Sequence, residues 1–121
     1  MLESRFEEDH HIYFARLSGE VNVQELAQAL GECFSHPQPV KALWEVRDMD
    51  IGFGLEEVTS LADEIVAQVS VPGRMAFVIG NQQFLLGIVD SVRNMRSVWR
   101  TNWQTFETEA AARTWLCEGD S

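Results

Sequence analysis

The chain has 121 residues, of which 45% are hydrophobic and 23% are charged, a balance typical of one folded domain spanning residues 1–121. Its 19 acidic and 9 basic residues give a formal net charge of −10, which disfavours binding to nucleic acid or to an acidic membrane surface. The sequence has no apolar run near the roughly 20 residues of a membrane span and no signal-peptide pattern at its charged N-terminus, so we expect no membrane insertion. Cys33 and Cys117 have no paired spacing, which indicates a reduced, cytoplasmic protein.

The N-terminal pattern predicts a β-hairpin followed by a helix. Leu2 to Phe6 and His11 to Ser18 are candidate strands joined by an acidic turn. Asn22 then stands at the N-cap position of a segment whose apolar residues recur at helical spacing. Pro37 and Pro39 end this helix, because proline cannot continue one.

Strands and helices alternate through the rest of the chain. In order, the predicted elements are the strand Lys41–Val46, a helix from Gly54, the strand Met75–Ile79, a helix capped by Asn81, the strand Thr101–Phe106 and the helix Thr108–Leu116. The buried stripe predicted for the third helix comprises Phe84, Leu85, Ile88, Val92 and Met95. The order β-β-α-β-α-β-α-β-α predicts an α/β fold with a single mixed, mostly parallel sheet and an N-terminal antiparallel hairpin.

Three short motifs are spread over nearly the whole chain. They are Leu43-Trp44-Glu45-Val46-Arg47, Arg74-Met75-Ala76-Phe77-Val78, and the C-terminal pattern of Phe106, Ala112, Trp115 and Leu116. In this order they resemble the SpoIIAA-like (STAS-like) family of small bacterial proteins. The resemblance implies a superhelix in which parallel strands stack and the helices gather mainly on one side.

The function that this resemblance implies is regulatory rather than enzymatic. The better-known relatives are anti-sigma-factor antagonists, which act by binding partner proteins. The alternative is a small carrier of a lipophilic or small anionic ligand, since a related fold carries lipophilic ligands in CRAL-TRIO domains.

One segment departs from the pattern of the antagonists. They carry a phosphorylatable serine in an Asp-Ser-x-Gly-like segment, which here reads Asp50-Ile51-Gly52-Phe53-Gly54 and contains no hydroxyl group. Thr59 and Ser60 lie a turn or more into the following helix. We therefore expect no phosphorylation switch in this segment.

A candidate ligand site lies at the carboxyl ends of two predicted strands, where parallel sheets usually bind ligands. Its residues are Arg47, Asp48, Asp50, Phe53, Asn81 and Gln82. The alternative interpretation is two ordinary loops with helix caps. Phe53 also has the spacing of a hydrophobic staple to Val58.

A candidate partner-binding surface lies at the C-terminal end of the third predicted helix and in the segment that follows it. Arg93, Arg96 and Arg100 are three of the nine basic residues and fall on one helical face if the helix extends that far. Together with Trp99 and Trp103 they could bind an acidic protein partner, because arginine and tryptophan are common interface anchors. The alternative is a solvated face whose arginines pair with nearby carboxylates.

The sequence assembles no catalytic residues, metal site or cofactor motif. Cys33 and Cys117 are typical of buried filler or inert thiols, and His10 and His11 point to opposite faces of a strand. The glycines at 52 and 54 lack the rest of a phosphate-binding loop.

We expect a homodimer. If the helices lie mainly on one side, the opposite sheet face is left incompletely covered. Leu43, either Tyr13 or Phe14, and Trp103 are the apolar residues expected there, and a two-fold contact is the commonest cover for such a patch.

Overall fold

The computed structural model describes residues 1–36, 41–51, 54–66, 73–94 and 102–118, and every structural statement below concerns these ranges. The strands are β1 (Leu2–Glu7), β2 (Ile12–Leu17), β3 (Gly19–Val21), β4 (Lys41–Glu45), β5 (Met49–Ile51), β6 (Met75–Val78) and β7 (Trp103–Phe106). The helices are α1 (Val23–Phe34), α2 (Leu55–Val66), α3 (Gln83–Arg93) and α4 (Glu109–Cys117).

The main sheet has the strand order β1-β2-β4-β6-β7. β1 pairs antiparallel with β2, and the remaining neighbours are parallel. This arrangement confirms the predicted α/β class with its mostly parallel sheet and N-terminal hairpin. The sequence analysis missed a second, two-stranded parallel sheet formed by β3 and β5, because three-residue strands are too short to show a period.

The predicted cap of the first helix is confirmed, and Thr108, predicted as the first residue of the last helix, is its N-cap. The Asn22 side chain accepts a hydrogen bond from the backbone N–H of Glu25 at 2.9 Å, and the Thr108 hydroxyl accepts one from Ala111 at 3.3 Å. Each cap satisfies one of the N–H groups that a helix start leaves without a partner.

α1, α2 and α3 all lie on one face of the sheet, as the resemblance implied. Tyr13, Trp44 and Phe77 on the sheet belong to a core cluster that includes Cys33 of α1 and Leu85 of α3. Val58 of α2 and Val92 of α3 pack beside Trp103 on the same side.

The opposite sheet face is covered within the chain, which corrects the expectation of an exposed apolar face. Ala112 and Leu116 of α4 pack against Leu43, and all three are 0% exposed. Phe14 on the same face is 2% exposed. Tyr13 and Trp103, two further candidates for that face, point to the side of the three helices, because neighbouring residues of a strand alternate between faces.

Arginine side chains complete this cover over the ring of Phe14. The guanidinium carbons of Arg5, Arg16 and Arg113 lie 4.2, 5.7 and 5.7 Å from the ring centroid. The long apolar stems of arginine can cover a ring while the charged heads stay in contact with water. Phe14 is therefore buried although α4 does not extend over the whole face.

Polar contacts hold α4 at its middle and near its C-terminal end. Arg113 donates two hydrogen bonds to the Glu7 carboxylate of β1, at 2.6 and 2.9 Å, and a third to Glu109 at 2.9 Å. Near the C-terminal end, Arg74 donates to the carbonyl oxygen of Trp115 at 2.6 Å and lies 5.0 Å from the centre of its ring. α4 is thus attached to the hairpin and to the start of β6.

The third helix differs from the prediction in its cap and in its buried face. Gln82, not Asn81, occupies the N-cap and makes no side-chain capping bond. Phe84, predicted to be buried, is 67% exposed. The buried stripe is Leu85, Val89 and Val92, and Phe84 lies at its margin in the first turn.

The Glu7–Arg113 pair makes stability depend on pH in a predictable direction. Hydrogen bonding from Arg113 lowers the pKa of Glu7 in the folded chain. A lowered folded-state pKa stabilises the fold above the ordinary Glu range, and this contribution is lost as the pH falls through the lowered pKa. We expect Glu7→Gln to reduce the free energy of unfolding by about 1–2 kcal/mol at neutral pH.

Urea denaturation at several pH values checks this expectation. The difference between wild type and Glu7→Gln should shrink as the pH falls below the ordinary Glu pKa. Glu3→Gln, at an exposed position of the same strand, is the control and should change little. A Glu7→Gln effect that persisted unchanged in acid would mean that the ion pair is not its cause.

Candidate functional site

The loops that follow β4 and β6 meet at one edge of the sheet, as predicted. The backbone N–H of Val46 donates to the carbonyl of Val78 at 3.0 Å. The side-chain amide of Gln82 donates to the carbonyl oxygen of Arg47. The structure therefore brings together residues that are 35 positions apart in sequence.

We call this edge the loop surface, and it consists of the described residues of the predicted ligand site: Arg47, Asp48, Asp50, Asn81 and Gln82. All are exposed except Gln82, which is half-buried. Phe53, the sixth predicted residue, lies outside the described residues.

The positive charge of Arg47 is already matched within the chain. Its guanidinium contacts both carboxylate oxygens of Glu45, which is 3% exposed, with distances of 2.8–3.0 Å. The same carboxylate accepts the backbone N–H of Arg47 at 3.0 Å. This hydrogen bonding to Glu45 raises the pKa of Arg47.

The loop surface is therefore acidic. Asp48 and Asp50 are exposed, and Asp50 pairs in register with Glu20 of β3, which is also exposed. Because the charge of Arg47 is matched by Glu45, the surface is a poor site for the small anionic ligand that the sequence left open.

Gly80 allows the two loops to approach each other. Its φ angle is +60°, a conformation that side chains other than glycine disfavour. A Cβ atom at this position would lie 3.2 Å from Cγ and 3.3 Å from Cδ of Arg47. The Arg47 side chain thus lies across a position where only glycine fits without displacement.

An exposed aromatic ring stands beside the loop surface. Phe84 lies two residues after Gln82, and within the described ranges only it and Met1 are large hydrophobic residues with exposed side chains. The sequence analysis missed this position because Phe84 fits the helical period of the buried stripe. The signal that could have indicated its exposure is its position in the first turn of α3, at the margin of the buried stripe.

The predicted partner-binding residues are only partly described. α3 ends at Arg93, and the helical arginine stripe stays a prediction because its other members are not described. Arg93 lies 3.8 Å from the carboxylate of Asp90. Trp103 is half-buried, with its ring 5.3 Å from that of Phe77. Arg96, Trp99 and Arg100 lie outside the described residues.

A second feature is an apolar cavity of about 100 Å³ between the sheet and the three helices. It is lined by Leu17, Leu26, Leu30, Trp44, Val46, Met49, Val58, Leu61, Met75, Phe77, Leu85, Ile88, Val89, Val92 and Trp103. The cavity is smaller than the roughly 300–1,000 Å³ of most small-molecule sites. A carrier of a lipophilic ligand would enclose several hundred cubic ångströms.

The titratable groups of the described core do not form a catalytic arrangement. Burial raises the pKa of the Cys33 thiol to about 12, which keeps it protonated and a poor nucleophile. Burial also raises the pKa of Tyr13, whose hydroxyl donates to Glu32 at 3.0 Å. Among the described residues, no group of three or more His, Cys, Asp or Glu side chains could hold a metal ion. None of the described helices is long and apolar enough to cross a membrane.

The fold resembles one that has been solved before. The structure of the Bacillus cell fate determinant SpoIIAA in the phosphorylated form superimposes with a TM-score of 0.54, over 96% of this chain and 99% of that one, at 12% sequence identity. The chain therefore has the SpoIIAA fold, which confirms the resemblance at the level of architecture. No protein-family model matches the chain, and no curated protein matches its sequence.

The geometry at Gly80 generates a stability prediction with a matched control. We expect Gly80→Ala to destabilise the fold by about 1–2 kcal/mol, because the new methyl group is strained at positive φ and displaces Arg47. Gly87→Ala, on α3 with open space around the new methyl group, should instead stabilise by up to about 1 kcal/mol. Thermal and urea unfolding of both variants measures the two effects. Equal effects from the two substitutions would contradict the close approach of Gly80 to Arg47.

Proposed function

We propose that this chain is a non-enzymatic regulatory domain that binds a partner protein at the loop surface, with Phe84 as the anchoring side chain. The observation that carries the proposal is the 67% exposure of Phe84 beside an edge where two loops converge. The SpoIIAA fold supports a regulatory role, since the resemblance implies action through partner proteins.

The exposed ring of Phe84 is a source of binding free energy for a partner that buries it. Complete burial of a phenylalanine side chain gains about 1.5–3 kcal/mol relative to leaving it in water. Aromatic side chains are also enriched among the few residues that supply most of the binding energy in interfaces. The adjacent polar residues of the loop surface would form the rim of such an interface.

The charge of the loop surface and of the neighbouring β3 indicates the chemistry of the partner. Asp48, Asp50 and Glu20 are exposed, and the whole chain has a net charge of −10. A partner with an apolar pocket surrounded by basic residues complements this surface in both shape and charge. The acidic partner predicted for Arg93, Arg96 and Arg100 would need a separate surface.

Binding at this surface is proposed to lack the phosphorylation switch of the antagonists. The corresponding segment, residues 50–54, contains no hydroxyl side chain. Thr59 is half-buried on α2, and Ser60 is exposed on the same helix. Neither residue lies in the loop that follows β5.

Self-association and a cytoplasmic location remain part of the proposal. The covered sheet face removes the original reason for a homodimer, because Leu43 and Phe14 are buried within one chain. Phe84 is the exposed aromatic side chain through which a two-fold contact is now proposed. A second copy is the alternative partner for the loop surface, and the like charges of two acidic surfaces disfavour it relative to a basic partner.

The test is partner binding by a Phe84 variant. Affinity purification of the full chain from its own cells identifies the partner, and calorimetry with the purified partner measures the affinity. We expect Phe84→Ala to weaken binding by about tenfold or more, the equivalent of about 1.4 kcal/mol. Its thermal stability should change little, because the ring is largely exposed.

Ser91→Ala, at an exposed position of the same helix, is the control and should bind as wild type does. Sedimentation of the purified chain identifies the case in which the partner is a second copy, and Phe84→Ala should then be monomeric. Two results contradict the proposal. One is a partner or a dimer whose affinity does not change in Phe84→Ala. The other is a wild-type chain that is monomeric and purifies with no partner.

A further inference from the structure

We propose that the apolar cavity between the sheet and helices α1–α3 binds a small uncharged molecule that carries one hydrogen-bond acceptor. The acceptor would receive the indole N–H of Trp44. This proposal is independent of the docking role of Phe84, which does not line the cavity.

Trp44 supplies the observation that points to a ligand. The residue is 2% exposed and lines the cavity, and its Nε1–H has no hydrogen-bond partner among the residues that the structure describes. More than nine in ten buried polar groups in folded proteins have a partner, because leaving one without a partner destabilises the fold. Because Trp44 lines the cavity, a hydrogen-bond acceptor bound inside the cavity is the partner that we propose for its N–H group.

A water molecule is a poor candidate for this acceptor. A buried water usually needs 2–4 polar partners, and empty cavities with apolar walls remain dry. The described side chains around the cavity are all apolar apart from the N–H groups of its tryptophans, Trp44 and Trp103. The Tyr13 hydroxyl of the same core donates to Glu32 and is not among the lining groups.

The walls of the cavity also define the size and charge of the ligand. The volume is about 100 Å³. For comparison, an engineered apolar cavity of about 150 Å³ accepts benzene. A single ring or a short branched chain is therefore the appropriate size, and the flexible Met49 and Met75 side chains in the wall can adjust to it. An ionised ligand is excluded, because no described lining residue could compensate a buried charge.

Benzene and pyridine form a matched pair of probes, since they have nearly the same size and only pyridine has an acceptor. Both are titrated into the full chain at mildly alkaline pH, where pyridine is uncharged. Binding is followed by NMR, with the Nε1–H signal of Trp44 identified by its absence in Trp44→Phe. We expect both probes to bind saturably and pyridine to shift the Trp44 signal to higher frequency, as hydrogen bonding does.

Variants distinguish the hydrogen bond from the cavity itself. Trp44→Phe should lose about fivefold to tenfold in affinity for pyridine and retain its affinity for benzene, because it removes one hydrogen bond. Ile88→Phe keeps the indole but fills the cavity, so it should abolish binding of both probes. Ser91→Ala, at an exposed position of α3 outside the cavity wall, should bind both probes as wild type does. Thermal melting verifies that each variant folds.

Three results would overturn the proposal. The first is the absence of saturable binding by either probe to the wild-type chain. The second is wild-type affinity of Ile88→Phe for the probes, which would place them elsewhere. The third is an equal effect of Trp44→Phe on benzene and pyridine, which would exclude the indole as a donor.

Discussion

The burial of the three inner strands on both faces is the constraint on which this structure depends. Tyr13 and Phe14, neighbours on β2, point to opposite faces and are each 2% exposed. Three helices cover one face, but only α4 is available for the other. The arginines around Phe14 complete the cover there, and the hydrogen bonds of Arg113 to Glu7 hold α4 against the hairpin.

The same arrangement provides two candidate functional features, an exposed surface and an internal cavity. At the carboxyl edge of the sheet, the loops after β4 and β6 join through Gln82 and Arg47 and place Phe84 in the solvent. Beneath the three helices, large side chains leave a cavity lined in part by Trp44, whose N–H has no partner within the described ranges. The two features are separate, so a partner protein and a small molecule could each act on this domain through a different element.

Local signals were sufficient for much of the architecture. Asn22 was predictable as a cap because a cap depends on residues within one helical turn. The apolar runs indicated which segments are strands, and the geometry of parallel sheets placed the loops after β4 and β6 at one edge of the sheet. The exposed Phe84 and the short pair of β3 and β5 were not predictable in this way. The exposure of Phe84 depends on where α3 begins relative to the sheet. The pairing of β3 with β5 depends on contacts between residues about 30 positions apart.

The central claim is that the loop surface and Phe84 are the face through which this domain acts. Hydrogen–deuterium exchange of the full chain, alone and with its purified partner, tests the claim most directly because it locates the bound surface without any substitution. The account predicts slower exchange in residues 47–50 and 80–86, with no change in β1 or α4. Protection confined to β1 or α4, with the loop surface unaffected, would contradict it.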